Sequence, residues 1–135
     1  FMPLIPGLRA QIGLTVTDND SAISLGSGDV PVLATPRILA LCEEATVAAV
    51  ADSLGAGQTT VGVRVELHHT APTAIGVTVL ATATLTVVEG RTLTFEIAVA
   101  AGDLTVARGI VERVVVDRQH FVDRLSKHGN PSGPE

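Results

Sequence analysis

The hydrophobic and polar positions of this chain follow two periods, one after the other. Residues 36–54 are rich in Ala, Leu and other helix formers, which predicts one long helix. Across residues 61–116 the apolar residues alternate with Thr, Glu and Arg, which predicts strands with one face in water. Turn signals at residues 89–90 and 102–103 divide this run, and residues 71–74 interrupt it. We therefore expect antiparallel hairpins after the helix.

The ends of the long helix carry recognisable signals. Thr35 precedes Pro36, and a threonine cap followed by proline at the first helical position predicts that the helix begins there. Gly55 and Gly57 predict that it has ended by about residue 54.

The flanking segments are less regular. Alternation over residues 11–18 predicts a first strand, and the Ser- and Gly-rich residues 19–29 predict a loop with a short strand at residues 22–25. Asp117 predicts the cap of a short helix that ends near residue 125. We expect residues 129–135, which include two prolines, to be disordered.

The order strand, helix, four strands predicts a single α+β domain over residues 1–128. The long helix is apolar over most of its circumference, so we expect it to be buried on several sides. A curved antiparallel sheet wrapped around this central helix would bury it in that way.

The composition excludes several classes of partner. Of the 135 residues, 46% are hydrophobic and 17% charged, the net charge is −5, and there is no Trp or Tyr. A chain with few aromatic residues and no basic patch is a poor candidate for binding nucleic acid or an anionic membrane. The single cysteine excludes an internal disulfide. With no long apolar run or signal peptide in view, we expect a cytoplasmic protein.

The adjacent carboxylates Glu43 and Glu44 are predicted to have different surroundings. At about 100° per residue, Glu44 lies on a polar stripe with Arg37. A carboxylate on an apolar face is costly unless it is hydrogen-bonded or used in chemistry. Glu43 is therefore a candidate general base, with an exposed position at the edge of the face as the alternative. The apolar residues that share its face are Leu39, Val47, Val50 and Leu54.

The pair His68 and His69 shows the same asymmetry in a strand. His69 shares the parity of four apolar residues, which are Val61, Val63, Val65 and Leu67. We therefore expect His69 on the apolar face and His68 on the wet face. A histidine there is either a structural core residue or a proton carrier. The four histidines have no short metal-binding spacing, so we expect no metal site.

Two further residues have a chemical and a structural interpretation. The Thr35 hydroxyl either caps the long helix or stabilises a developing anion at the positive end of the helix dipole. Arg113, in the last predicted strand, either binds an anion or pairs with an acid.

Several short motifs, in order, resemble the fluoroacetyl-CoA thioesterase family of the hotdog superfamily. The likeness covers about residues 10–125 and is carried by Val32-Leu33-Ala34-Thr35, Glu43 in the helix, Val61-Gly62, His69-Thr70-Ala71-Pro72-Thr73, Val88-Glu89-Gly90-Arg91 and Val111-Glu112-Arg113. The resemblance implies the hotdog fold, a helix wrapped by an antiparallel sheet, in agreement with the periodicity. It also implies a dimer with active sites at the subunit interface.

The family resemblance assigns roles to five residues. It implies that Thr35, Glu43 and His69 are catalytic, and that Gly62 and Arg113 contact the substrate. The implied reaction is hydrolysis of an acyl-CoA thioester, without a cofactor other than the CoA of the substrate. Glu43 would activate water or attack the carbonyl, His69 would shuttle protons, and Thr35 would position or polarise the reacting groups.

One departure from the family pattern bears on specificity. The fluoroacetyl-specific enzyme has a lid with phenylalanines before the helix, whereas residues 21–33 of this chain contain no aromatic residue. We therefore expect a small acyl group, and the sequence leaves open whether it is fluoroacetyl. A hotdog hydratase or dehydratase and a non-catalytic acyl-CoA-binding module are the alternatives. Unpaired sheet edges favour a homodimer, and assembly into a tetramer is left open.

Overall fold

The structure, a computed structural model, describes residues 3–126 of the chain. The main elements are β1 (Arg9–Thr15), α1 (Ala22–Leu25), α2 (Thr35–Val50), β2 (Gln58–His69), β3 (Thr78–Glu89), β4 (Thr92–Ala101), β5 (Leu104–Asp117) and α3 (Arg118–Arg124). Short 3-10 turns lie at Asp18–Asp20 and Ala51–Ser53. The predicted disordered tail, residues 129–135, lies outside the described residues.

The five strands form one antiparallel sheet in the order β1-β3-β4-β5-β2. Helix α2 packs mainly against β1 and β3, and the core of the described residues is aliphatic apart from Phe95 and Cys42. The predicted α+β architecture of one long helix against a curved antiparallel sheet is confirmed. Strand β2 lies at one edge of this sheet, so one of its sides has no neighbouring strand within the chain.

Only one side of α2 is buried within the chain. The prediction that this helix is buried on several sides is therefore wrong for a single chain. The buried residues are Ile38, Leu41, Cys42, Ala45, Thr46 and Val50. Val47 is 47% exposed, and Ala40 and Ala48 are exposed as well. A single five-stranded sheet covers one face of a helix and leaves its flanks open.

The segment predicted as a short strand at residues 22–25 is the helix α1. Its ends are defined by local signals: the Ser21 side chain accepts a hydrogen bond from the Ser24 backbone N–H, and Gly26 closes the turn at φ 70°. A serine cap and a left-handed glycine stabilise a single helical turn where four residues are too few to show a period. The first strand also begins earlier than predicted, at Arg9 rather than residue 11.

A β-bulge in β2 changes which of its side chains face the helix. Gly62 pairs with Arg113 and Arg64 pairs with Glu112, so Val63 has no partner in β5. One extra residue reverses the alternation on one side of the bulge. The prediction that Val61 shares the apolar face of His69 is therefore wrong, and the residue of that segment that is buried is Thr60.

Two kinds of functional feature are absent from residues 3–126. No helix there is long and apolar enough to cross a membrane. No three His, Cys, Asp or Glu side chains within those residues converge as a metal site would require.

Gly109 allows β2 and β5 to approach each other. A Cβ at this position would overlap the backbone oxygen of Glu66 and lie 2.9 Å from its carbonyl carbon. We expect Gly109→Ala to lower the free energy of unfolding by about 1–3 kcal/mol, measured by urea denaturation. The control is Gly13→Ala, whose Cβ would lie 3.8 Å from the nearest atom, the Val79 backbone oxygen. Equal stabilities of the two variants would contradict this account of the β2–β5 contact.

Candidate active site

The first cluster joins the start of α2 to the end of β2. The Thr35 Oγ1 lies 2.8 Å from His69 Nδ1. The N-cap of α2 is Ala34, without a side-chain cap, so the prediction that Thr35 caps the helix is wrong. Since the helix begins one residue earlier than predicted, the Thr35 hydroxyl does not serve as the cap and hydrogen-bonds the histidine instead.

The two histidines differ as the strand alternation predicts. His69 is half-buried, and its Nε2 is buried without a hydrogen-bond partner in the described part of the chain. His68 is exposed. In the tautomer in which Nδ1 accepts a hydrogen bond from the Thr35 hydroxyl, the ring hydrogen is on Nε2, which is then a donor without an acceptor among the described residues. A cavity of about 190 Å³ lined by Val32, His69, Thr70, Ala71 and Pro72 lies at this corner.

The second cluster centres on Glu43, in the middle of α2. Its Oε2 accepts a hydrogen bond from Arg113 Nη1 at 3.3 Å. The Glu43 side chain is 36% exposed and the Arg113 side chain 9% exposed, so the carboxylate is open to solvent on one side and paired on the other. Glu44 is exposed. The helical period therefore separates the two neighbouring carboxylates as expected.

Arg113 is itself fixed by β2. Its Nε donates to Thr60 Oγ1 at 2.8 Å and its Nη2 donates to the Thr60 backbone oxygen at 3.0 Å. Burial lowers the pKa of Arg113 from its ordinary value, and the charge and hydrogen bond of Glu43 oppose that shift. An arginine remains protonated in a protein, so a cation lies beside the Glu43 carboxylate.

Gly62 supplies the space that the Glu43 carboxylate occupies. A Cβ at Gly62 would lie 2.8 Å from Glu43 Oε2 and 3.4 Å from Arg113 Nη1. Cys42, next to Glu43 in α2, does not join the cluster: burial, and to a lesser extent the Glu43 charge, raise the pKa of its thiol to about 12. A neutral buried thiol of this kind is a core residue.

Asp20 attaches the loop before α2 to the start of that helix. Its carboxylate accepts hydrogen bonds from Thr17 N, Thr17 Oγ1 and Arg37 Nε at 2.8–2.9 Å, and its backbone oxygen accepts one from Ala34 N. Burial acts to raise the pKa of Asp20, but these hydrogen bonds and the Arg37 charge outweigh it and lower the pKa. The bonds fix the residue before Thr35.

Asp20 and Thr60 were not predicted as site residues from the sequence. The spacing of Thr17 and Asp20 is that of a capping box, which is a usable signal for Asp20. Thr60 has no such signal, because its inward direction depends on the bulge at Val63.

The two clusters lie far apart within one chain. Thr35 and Glu43 are eight residues apart on α2, which is about 12 Å along the helix axis. Gly62 and His69 lie on the same side of β2 but roughly 20 Å apart along the strand. Each cluster holds groups that can take part in proton transfer: a carboxylate beside a fixed cation in one, and a threonine–histidine pair in the other.

Comparisons with known proteins define first the class and then the family. A solved structure of the fluoroacetyl-CoA thioesterase superposes with a TM-score of 0.88 at 29% identity, over 96% of this chain and all of that one. A hot-dog-like protein from Thermanaerovibrio acidaminovorans gives a TM-score of 0.85 at 25% identity, over 93% of each chain. The fold is thus the hotdog fold of thioesterases.

The family follows from the sequence. The model of the fluoroacetyl-CoA-specific thioesterase family matches residues 16–119. The fluoroacetyl-CoA thioesterase of Streptantibioticus cattleyicolor is 37% identical over 102 residues, which are 76% of this chain and 73% of that protein. The chain belongs to the fluoroacetyl-CoA-specific thioesterase family, which confirms the resemblance seen in its motifs.

Proposed function

We propose that this protein hydrolyses acyl-CoA thioesters with a small acyl group, releasing the free acid and CoA. The observation that carries the proposal is the pair of complementary clusters, Glu43 beside Arg113 and Thr35 beside His69. Thioester hydrolysis needs a group that activates water and a group that protonates the leaving sulfur. The family membership supports the same reaction. We propose that this hydrolysis requires no cofactor other than the CoA of the substrate and that it takes place in the cytoplasm.

We propose that a homodimer joins the two clusters into one active site. The middle of β2 is exposed, and two of its apolar residues, Val63 and Val65, are 57% and 38% exposed. An edge strand with free N–H and C=O groups can pair with a second copy of itself around a two-fold axis. An axis through Glu66, with Val63 left unpaired as it is against β5, sets Gly62 opposite His69 of the partner subunit. That pairing brings the Glu43 cluster of one subunit to the threonine–histidine pair of the other.

In the proposed mechanism, Glu43 acts as the general base. Its Oε2 is held by Arg113, and Oε1 has no hydrogen bond from the described residues. The carboxylate takes a proton from water as the water oxygen attacks the thioester carbonyl. The tetrahedral intermediate then expels the CoA sulfur, which takes the Nε2 proton of His69 as the proton held by Glu43 passes to that nitrogen. Both residues thus end in their starting protonation states, while Thr35 fixes the imidazole ring. Gly62 and Arg113 border the space for the acyl group.

The absence of aromatic residues before α2 bears on the acyl group. Residues 21–33 carry aliphatic side chains instead, and Ile23, Leu25 and Val30 are 46–56% exposed. We propose that the acyl group is small and that this aliphatic segment does not discriminate fluoroacetyl from acetyl. Release of free CoA from acetyl-, fluoroacetyl-, propionyl- and crotonyl-CoA tests the function. Hydration of crotonyl-CoA without CoA release would favour a hydratase, and binding without turnover a binding module.

The neighbouring glutamates should differ in their effect on hydrolysis. We expect Glu43→Gln to lower kcat by about 10²–10⁴, because the amide cannot take the proton from water. Glu44→Gln should remain within about twofold of wild type, because this side chain is exposed. The measurement is steady-state CoA release, with circular dichroism as the check on folding. Similar losses in the two variants would show that the assignment of the base is wrong.

The adjacent histidines give an independent test. His69→Ala should lower kcat by about 10²–10⁴, the usual contribution of a general acid. His68→Ala should behave as wild type, since its ring is exposed on the other face of the sheet. If His68→Ala were the impaired variant, the leaving-group proton would have to come from the opposite face.

Mixing the two inactive variants tests the shared site. A heterodimer of Glu43→Gln and His69→Ala subunits contains one site with both native residues and one with neither. After refolding from an equimolar mixture, we expect about a quarter of wild-type activity if sites form between subunits. A site within one chain would leave the mixture as inactive as its components. Sedimentation at micromolar concentration should show a dimer, and a larger species would indicate the tetramer.

A further inference from the structure

Thr60 makes an unusual double contact with the arginine of the candidate site. It lies near the start of β2, is 7% exposed, and pairs across the sheet with Val115. Its hydroxyl oxygen and its backbone oxygen accept hydrogen bonds from two different nitrogens of Arg113, at 2.8 and 3.0 Å. The third nitrogen of the guanidinium donates to Glu43 at 3.3 Å.

We propose that Thr60 is a positioning residue: it holds the Arg113 guanidinium in the orientation that fixes one oxygen of the Glu43 carboxylate and leaves the other free for water. The kinetic part of this inference rests on the proposed hydrolysis. Thr60 has no role in the family resemblance or in the motifs.

The geometry explains why a hydroxyl is needed at this position. An arginine side chain is long and flexible, so a single contact with Glu43 would leave the guanidinium free to rotate. Two contacts with one threonine fix its plane. When the Nε–H loses its acceptor, the buried group must turn toward another oxygen, and the weaker contact with Glu43 is the one that changes.

The surroundings of Glu43 leave Arg113 as the group that fixes its carboxylate. Within the described residues, β5 contributes Arg113, β2 contributes the uncharged Gly62 and Thr60, and α2 contributes the neutral Cys42 thiol. In the proposed dimer, His69 of the partner subunit also faces the carboxylate. A looser arginine therefore leaves Glu43 Oε2 without a fixed hydrogen-bond donor.

The test compares Thr60→Val with Thr60→Ser in the full-length protein. Valine keeps the shape and removes the hydroxyl, whereas serine keeps the hydroxyl. We expect Thr60→Val to lower kcat by about 10- to 100-fold, as for other small misplacements of a catalytic group. KM should stay within about twofold. Thr60→Ser should restore kcat. Thr86→Val is the control, since that hydroxyl also makes a hydrogen bond within the sheet, donating to Thr94 O at 3.1 Å, but lies on β3 and does not contact Arg113.

A double variant separates positioning from general destabilisation. Arg113→Met should lower kcat, and adding Thr60→Val to it should cause no further loss, because Thr60 acts through the arginine. An equal additional loss in that background would overturn the proposal. So would a Thr60→Val enzyme with wild-type kcat.

A spectroscopic measurement keeps the inference independent of the activity. In the wild-type protein the Arg113 Nε–H should exchange slowly with solvent and give a distinct signal in nitrogen-15 spectra. Thr60→Val should abolish that protection, and Thr60→Ser should retain it. Unchanged protection in Thr60→Val would overturn the inference. A wild-type protein with this protected signal but no hydrolysis of any tested thioester would instead overturn the proposed function.

Discussion

The β-bulge at Val63 determines which side chains of the edge strand β2 face the helix. Side chains of a strand alternate between its two faces, so without the bulge Gly62 and His69, seven positions apart, would face opposite sides. The extra residue brings both to the helix side, and Thr60 with them. The Arg113 guanidinium then finds its two acceptors on Thr60, and the Glu43 carboxylate finds space beside Gly62. The glutamate cluster exists because β2 changes face at this point.

The dependence on the bulge explains which parts of the site could be predicted from the sequence. Glu43 and His69 followed from local periods, 3.6 residues in a helix and two in a strand, which hold within each element. The inward direction of Thr60 did not, because it depends on how β2 registers against β5, about 50 residues further along the chain. The misassigned cap at Thr35 has a smaller cause: the helix begins one residue earlier than its Thr-Pro signal indicates.

A single chain leaves two surfaces exposed near its clusters, one on α2 and one on β2. The sheet covers one side of α2, and Val47, one turn after Glu43, is 47% exposed. The middle of β2, between the clusters, is exposed as well. An apolar helix flank next to an unpaired strand is costly in water, and a two-fold contact along β2 would remove both costs. The same contact would complete the site, so assembly and catalysis would depend on one surface.

The intermediate exposure of Glu43 is what makes a carboxylate–arginine pair compatible with catalysis. A fully buried pair has its charges neutralised by each other and no access to water, whereas a fully exposed pair is loose and screened. Here the guanidinium is almost entirely buried and fixed by a threonine, while 36% of the glutamate side chain remains exposed. The cation is therefore held by the protein and the anion is held by the cation. One carboxylate oxygen accepts the hydrogen bond from Arg113, and the other, which has no hydrogen bond from the described residues, can meet a water molecule.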